Sequence, residues 1–135
     1  MNRRISNKEF RMMKEQPKFD LENRLIEFSL AIIGVAEMLP NSLTGRHLCG
    51  QLIRSGTSPA FNYAEAQSAE SRKDFIHKMK ISLKELRETY VCLQIIEKKP
   101  LIQQVNQLRD ILDENNQLIS IFVKSIATAR SNSKR

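Results

Sequence analysis

Two rows of polar side chains hold most of the chemistry available to this chain. Arg54, Ser58, Asn62 and Glu65 recur at spacings of four, four and three, which on an α-helix sets them along one face. A guanidinium, a hydroxyl, an amide and a carboxylate can donate and accept hydrogen bonds together, a set suited to a buried polar network or to docking another polypeptide. Lys73, His77, Lys80, Lys84 and Arg87 form the second row, at spacings of four, three, four and three. With a rise of about 1.5 Å per residue it extends for about 20 Å, enough to meet several phosphates. Glu88 lies beside it and no aromatic side chain interleaves it, so contact with nucleic acid is expected to be electrostatic and tolerant of sequence. Rows of this kind are also what ordinary solvated helix faces carry, and Arg54 and Glu65 stand too far apart to attract each other strongly.

Catalytic residues are not expected. His47 and His77 are the only histidines, and neither opens a Cys/His or Ser/His/Asp pattern. An enzyme on this chain would need a deep pocket with converging polar groups. The scattered glycines build no phosphate-cradling loop. Cys49 and Cys92 each sit inside an apolar periodic segment, with no histidine at ligand spacing from a second cysteine. They are expected to be reduced, packed thiols in an intracellular protein, with no metal and no cofactor.

Charge is unevenly distributed. The chain carries a net +7, yet residues 19–129 hold 13 basic and 13 acidic side chains. The excess lies at the ends: Arg3, Arg4, Lys8, Arg11, Lys14 and Lys18 at the start, and Arg130, Lys134 and Arg135 at the finish. Basic ends can bind phosphate backbones, although short ones are common on soluble proteins. Residues 1–20 lack the apolar run of a signal peptide and no later stretch reaches membrane-spanning length, so a cytoplasmic protein with no membrane partner is expected.

Four amphipathic runs must position these rows. The first, about residues 20–39, opens at Asp20 as an N-cap and places Leu21, Leu25, Phe28, Ile32, Val35 and Leu39 on one face. A second stripe, Ile26, Leu30 and Ile33, projects at least about a third of a turn away. A helix apolar over so much of its girth is either central with one wide stripe or covered on a second side, most simply by another subunit. Around residues 44–66, Leu43, Thr44 and Leu48 suggest a hydrophobic staple about a threonine cap, and Leu48, Leu52, Ile53, Ala60 and Ala64 form the apolar arc. Pro59 inside this run predicts one kinked helix near Ser55 and Gly56 rather than two.

The third run opens with Ser71 and Asp74 in capping-box relation and continues through Phe75, Met79, Ser82, Leu86, Tyr90 and Leu93. From about Leu101 the fourth keeps a heptad through Val105, Leu108, Leu112, Asn115, Ile119, Phe122 and Ile126. Asn115 breaks that seam as a register-fixing residue would. The joins are too short to cross a bundle, so each helix returns beside the one before. The expectation is an all-α, antiparallel, up-down-up-down four-helix bundle over residues 20–130. It is flanked by a basic extension over residues 1–19 and a basic tail over 131–135. Ser6 and Glu9 have capping-box spacing and Ile5 and Phe10 staple spacing, consistent with a short helix in the first extension.

Residues 54–66, Arg-Ser-Gly-Thr-Ser-Pro-Ala-Phe-Asn-Tyr-Ala-Glu-Ala, followed by Ser71-Arg72-Lys73-Asp74-Phe75 and by residues 82–89, Ser-Leu-Lys-Glu-Leu-Arg-Glu-Thr, resemble the bacterial four-helix-bundle proteins encoded by intervening sequences of large-subunit ribosomal RNA genes. The likeness covers about residues 20–128. It implies a bundle assembled as a ring, commonly a homopentamer, without known enzymatic activity and associated with nucleic acid. Similar bundles accompany reverse transcriptases of diversity-generating elements, where a basic ring surface handles RNA. The resemblance marks Arg54, Ser55, Asn62, Glu65, Phe75, Ser82 and Glu85 as shared positions. Pro59 and Phe61 depart from the small or β-branched residues of close relatives, and Tyr90-Val91-Cys92-Leu93 lacks a Trp common in that branch.

Two functions follow as expectations. The first is a non-catalytic homo-oligomer, joined through Ile26, Leu30 and Ile33, that binds RNA or DNA, structured RNA foremost, through the Lys73 to Arg87 row. The second is a protein-interaction module docking a partner through the Arg54, Ser58, Asn62 and Glu65 stripe.

Overall fold

The computed structural model describes residues 17–133, and four helices occupy nearly all of that span: α1 (Pro17–Met38), α2 (Leu43–Gln67), α3 (Arg72–Lys98) and α4 (Val105–Ser133). The short helix expected around Ser6 and Glu9 falls outside the described residues, as do Lys134 and Arg135. Each helix packs against its predecessor, and α4 closes back on α1 along a thinner seam. The architecture is therefore the expected all-α up-down-up-down bundle.

The helix starts follow local chemistry, with three departures from what the sequence leads one to expect. α1 opens at Pro17, where the missing N–H is one that the first turn leaves unpaired anyway. Asp20 accordingly lies within the helix instead of capping it. α2 is capped by Ser42, whose hydroxyl accepts the Gly45 N–H at 3.0 Å. Thr44 is thus already helical, and Leu43 is 80% exposed, so no staple joins it to Leu48. Ser71 caps α3 as expected, accepting from the Asp74 N–H at 3.0 Å. α4 starts at Val105, not near Leu101, because residues 99–104 form an irregular connection pinned by buried Ile102 and by a Leu101 N–H to Ile96 carbonyl bond of 2.9 Å.

Every helix turns one face inward. Leu25, Phe28, Ile32 and Val35 of α1 meet Leu48, Leu52 and Tyr63 of α2, Met79, Leu86, Leu93 and Ile96 of α3, and Leu108, Leu118, Phe122 and Ile126 of α4 in one buried cluster. Two helices bury a different set from the one expected. In α2, Ile53 and Ala64 are exposed, and Ser55, Gly56, Pro59, Tyr63 and Ala66 take the inner face. In α4, Val105 is exposed while Ile111 and Leu118 are buried. α2 runs unbroken through Pro59. Tyr63 meets Phe122 edge to face at 6.0 Å, and burial, with the Glu22 charge adding to it, pushes its phenol up to about 12.

Gly56 sets how closely α1 and α2 approach. A Cβ there would lie 2.4 Å from Ile32 Cγ2, well inside contact distance, and the Ser29 hydroxyl reaches the Gly56 carbonyl at 3.3 Å. Ile32 is β-branched and fully buried, so it has little freedom to yield. Gly56→Ala is expected to destabilise the bundle by about 1–3 kcal/mol through overpacking, although alanine favours helix more than glycine does. Chemical denaturation would show an unchanged or raised midpoint if the approach were loose.

Polar groups also enter the core. Ser82 donates to the Pro59 carbonyl at 3.1 Å, and Thr89 donates to the Glu85 carbonyl at 2.8 Å and is hydrogen-bonded to Ser55 Oγ at 3.0 Å. Asn115, wholly buried, donates through Nδ2 to the Leu86 carbonyl at 3.1 Å, while its Oδ1 has no hydrogen-bond partner among the described residues. Leucine has nearly the same shape and leaves no buried acceptor unmet. Asn115→Leu is therefore expected to raise stability by about 1 kcal/mol, and a lower melting temperature would contradict this account of Asn115.

Candidate nucleic-acid interface

The outer face of α3 displays the basic row as one continuous feature. Lys73, His77, Lys80, Lys84 and Arg87 are all exposed, on the side opposite buried Met79, Ser82, Leu86 and Leu93. None of the five joins an ion pair among the described residues, although Lys84 lies near enough to help lower Glu88. Since α3 is unbroken from Arg72 to Lys98, the row keeps a fixed spacing.

The polar stripe of α2 is divided among partners inside the chain. Arg54 does not reach Glu65. Its Nη1 bonds Glu85 Oε2 at 3.0 Å and its Nη2 bonds Glu88 Oε2 at 3.2 Å, so it bridges α2 to α3. Asn62 turns back on its own helix, donating to the Ser58 carbonyl at 3.0 Å and to Ser58 Oγ at 2.9 Å. Glu65 accepts from Lys78 Nζ at 3.1 Å. The stripe thus borders α3 through its two charged members, and the face expected to stand free is partly a helix-helix seam.

Arg54 holds two carboxylates that repel each other. Burial is the largest influence on Glu85 and, together with the Glu88 contact, raises its carboxyl above the usual range despite Arg54. Burial also pushes Glu88 upward, but hydrogen bonds with Arg54 and Glu85 outweigh it, and Glu88 settles below its usual value. Glu88 thus supplies stability that is complete above its unfolded value and is lost as pH falls through its lower folded one. Glu85 has the opposite sign, since the folded protein takes up its proton at a higher pH than the unfolded chain does, and acidification through that interval favours folding. Arg54 stabilises only the ionised forms. Arg54→Ala is expected to lower the melting temperature clearly at pH 7 and much less at about pH 2, well below the ordinary carboxylate range, where both acids approach neutrality. An equal loss at the two pH values would show that Arg54 acts through packing alone.

The stripe expected to seal an assembly is partly exposed. Ile26 is 47% and Leu30 57% accessible, with Ile33 half-buried. Helix phase sets Ile26 and Ile33 on the α2 side of the outer face, next to Ser29, and Leu30 directly away from the core. On the other flank of α1, Arg24 forks onto Glu114, with Nε to Oε2 at 3.1 Å and Nη2 to Oε1 at 2.5 Å.

One feature of the surface escaped the sequence reading. A groove of about 440 Å³ opens between the start of α2 and the later half of α3, with Leu48, Val91, Cys92 and Ile95 as its apolar lining. Leu48 and Cys92 read as core from periodicity, which concealed their second role. A signal was present, because Val91 and Ile95 extend the spacing of Lys84 and Arg87 by two further steps of four. Among the described residues no group of three or more His, Cys, Asp or Glu side chains could hold a metal ion, and no helix is long and apolar enough to cross a membrane. Cys92 is buried, and burial raises its thiol above the ordinary value.

A family model described as 23S rRNA-intervening sequence protein matches residues 18–123. Among solved structures, the bundle is similar to a protein of unknown function from the S23 ribosomal protein family of Bacteroides thetaiotaomicron. The two share 29% identity with a TM-score of 0.74, over 82% of this chain and 97% of the other. Among curated proteins nothing matches.

Proposed function

The chain belongs to the 23S rRNA-intervening sequence protein family, and from that premise we propose that it is a non-catalytic homo-oligomer that binds nucleic acid, structured RNA foremost, through the outer face of α3. The observation that carries this reading is the set of five exposed basic side chains aligned over about 20 Å without an ion-pair partner among the described residues. Forming ion pairs with phosphates would release counterions, the main source of sequence-tolerant affinity. A single row binds weakly. Several rows held rigidly in a ring raise the effective concentration of each for the next stretch of backbone.

The subunits of that ring, five by the family's pattern, would meet through Ile26, Leu30 and Ile33. Two of these three are large apolar residues left substantially exposed by the isolated chain, which supports a covering partner. The α2 stripe supports docking of another protein less well, because Arg54, Asn62 and Glu65 already bond within the chain.

Filter binding of a structured RNA at rising salt tests the first half. Affinity should fall steeply with ionic strength, and Lys80→Ala with Lys84→Ala should shallow the logarithmic slope by about 2. Affinity indifferent to salt, or no binding at low salt, would count against the reading. Light scattering coupled to size exclusion tests the second half: the wild type should exceed the mass of one chain, and Leu30→Asp should reduce it to a monomer with unchanged helical content. A monomeric wild type removes the ring.

A further inference from the structure

The outer face of α3 does not end with its five bases. In the same three-four rhythm Lys73, His77, Lys80, Lys84 and Arg87 are followed by Val91, Ile95 and Lys98, so an apolar step interrupts a basic line that then resumes. Val91 is 55% and Ile95 48% exposed, and both stand in contact with water on a face that is otherwise charged. Hollows lie on both sides of them. The groove of about 440 Å³ is rimmed by His47, Gln51, Arg87 and Glu88. A second hollow runs past Gln94 to Lys98 and Lys99.

We infer that the Val91 and Ile95 step, with the groove beside it, seats an unpaired nucleobase of the RNA whose phosphates follow the basic row. This rests on the reading of α3 as a polyanion-binding face. A strand following the row meets cation, then apolar surface, then cation again. That order matches a nucleotide whose phosphates flank an unstacked base. Leu48 and Cys92, both nearly buried, give the groove an apolar floor. Arg87 stands where the basic row meets the groove and offers a planar cation that stacks on a base. Gln51 and His47 carry donors and acceptors, and Glu88 an acceptor, for the polar edge of a base. A duplex buries its bases in the stack and cannot use such a step. Loops, bulges and single strands are therefore the expected ligands.

Fluorescence anisotropy at one moderate salt concentration, with a short oligouridylate and an abasic strand of equal length and charge, tests this. The base-bearing strand should bind about tenfold more tightly. In the doubly substituted Val91→Asn, Ile95→Gln chain that advantage should vanish while abasic affinity stays unchanged. Both positions are exposed, and the circular dichroism of the variant should match that of the wild type. Arg87→Lys keeps the charge and removes the planar group, so it should narrow the ratio of base-bearing to abasic affinity. Equal binding of both strands to the wild type would overturn the base site and leave the basic row standing. Loss of both strands alike in the double variant would also overturn it. If neither strand nor a structured RNA binds at low salt, the row itself falls and the base site with it.

Discussion

Burial of the inner face of α3 is the constraint from which the surface follows. Met79, Leu86, Leu93 and Ile96 are at most 1% exposed, held between α2 on one side and α4 on the other. A helix of 27 residues is a stiff rod, so fixing one side fixes the opposite side as well. Lys73, His77, Lys80, Lys84 and Arg87 need no contacts of their own to be aligned. Their arrangement is the outward image of the core, and any repacking that rotated α3 would scatter them.

The inner face is not wholly apolar. Ser55, Ser82 and Thr89 are fully buried and bonded across the α2–α3 seam, and Glu85 lies at its margin beneath Arg54. Small hydroxyl-bearing side chains allow the two helices to lie close while giving each polar atom a partner. Asn115 is the exception, with one group bonded and one not. Its position in the seam of α4 suits a residue that opposes alternative registers at some loss of stability.

The fold was legible in the sequence because apolar side chains repeat every three or four residues in each run and short joins force neighbours together. Local chemistry was less legible. Ser42 and Thr44 are both competent caps, and the choice between them turns on Gly45, where a Cβ would strike the Pro40 carbonyl at 1.8 Å. That close packing of the turn is visible only in three dimensions. The α2 arc was misjudged at Ile53 and Ala64 because Ser55, Gly56 and Pro59 are poor candidates for a core by residue type, yet it is their small or donor-free character that admits close neighbours. Of the candidate site, the basic row could be read whole because it lies on one helix. The pairing of Arg54 with Glu85 and Glu88 spans more than thirty positions, and no single-helix periodicity reports a contact between helices.

The thin seam between α1 and α4 has a kinetic meaning. Three of the four helix pairings join consecutive segments, and each can form as a hairpin with a short search. Only α1 with α4 joins the two ends of the bundle, and the Arg24 fork onto Glu114 bridges ninety positions. The entropy of closing the chain into a single body is thus concentrated at one junction. The contacts that tie the first helix to the last are therefore the ones whose loss would open the bundle without breaking any hairpin of neighbouring helices.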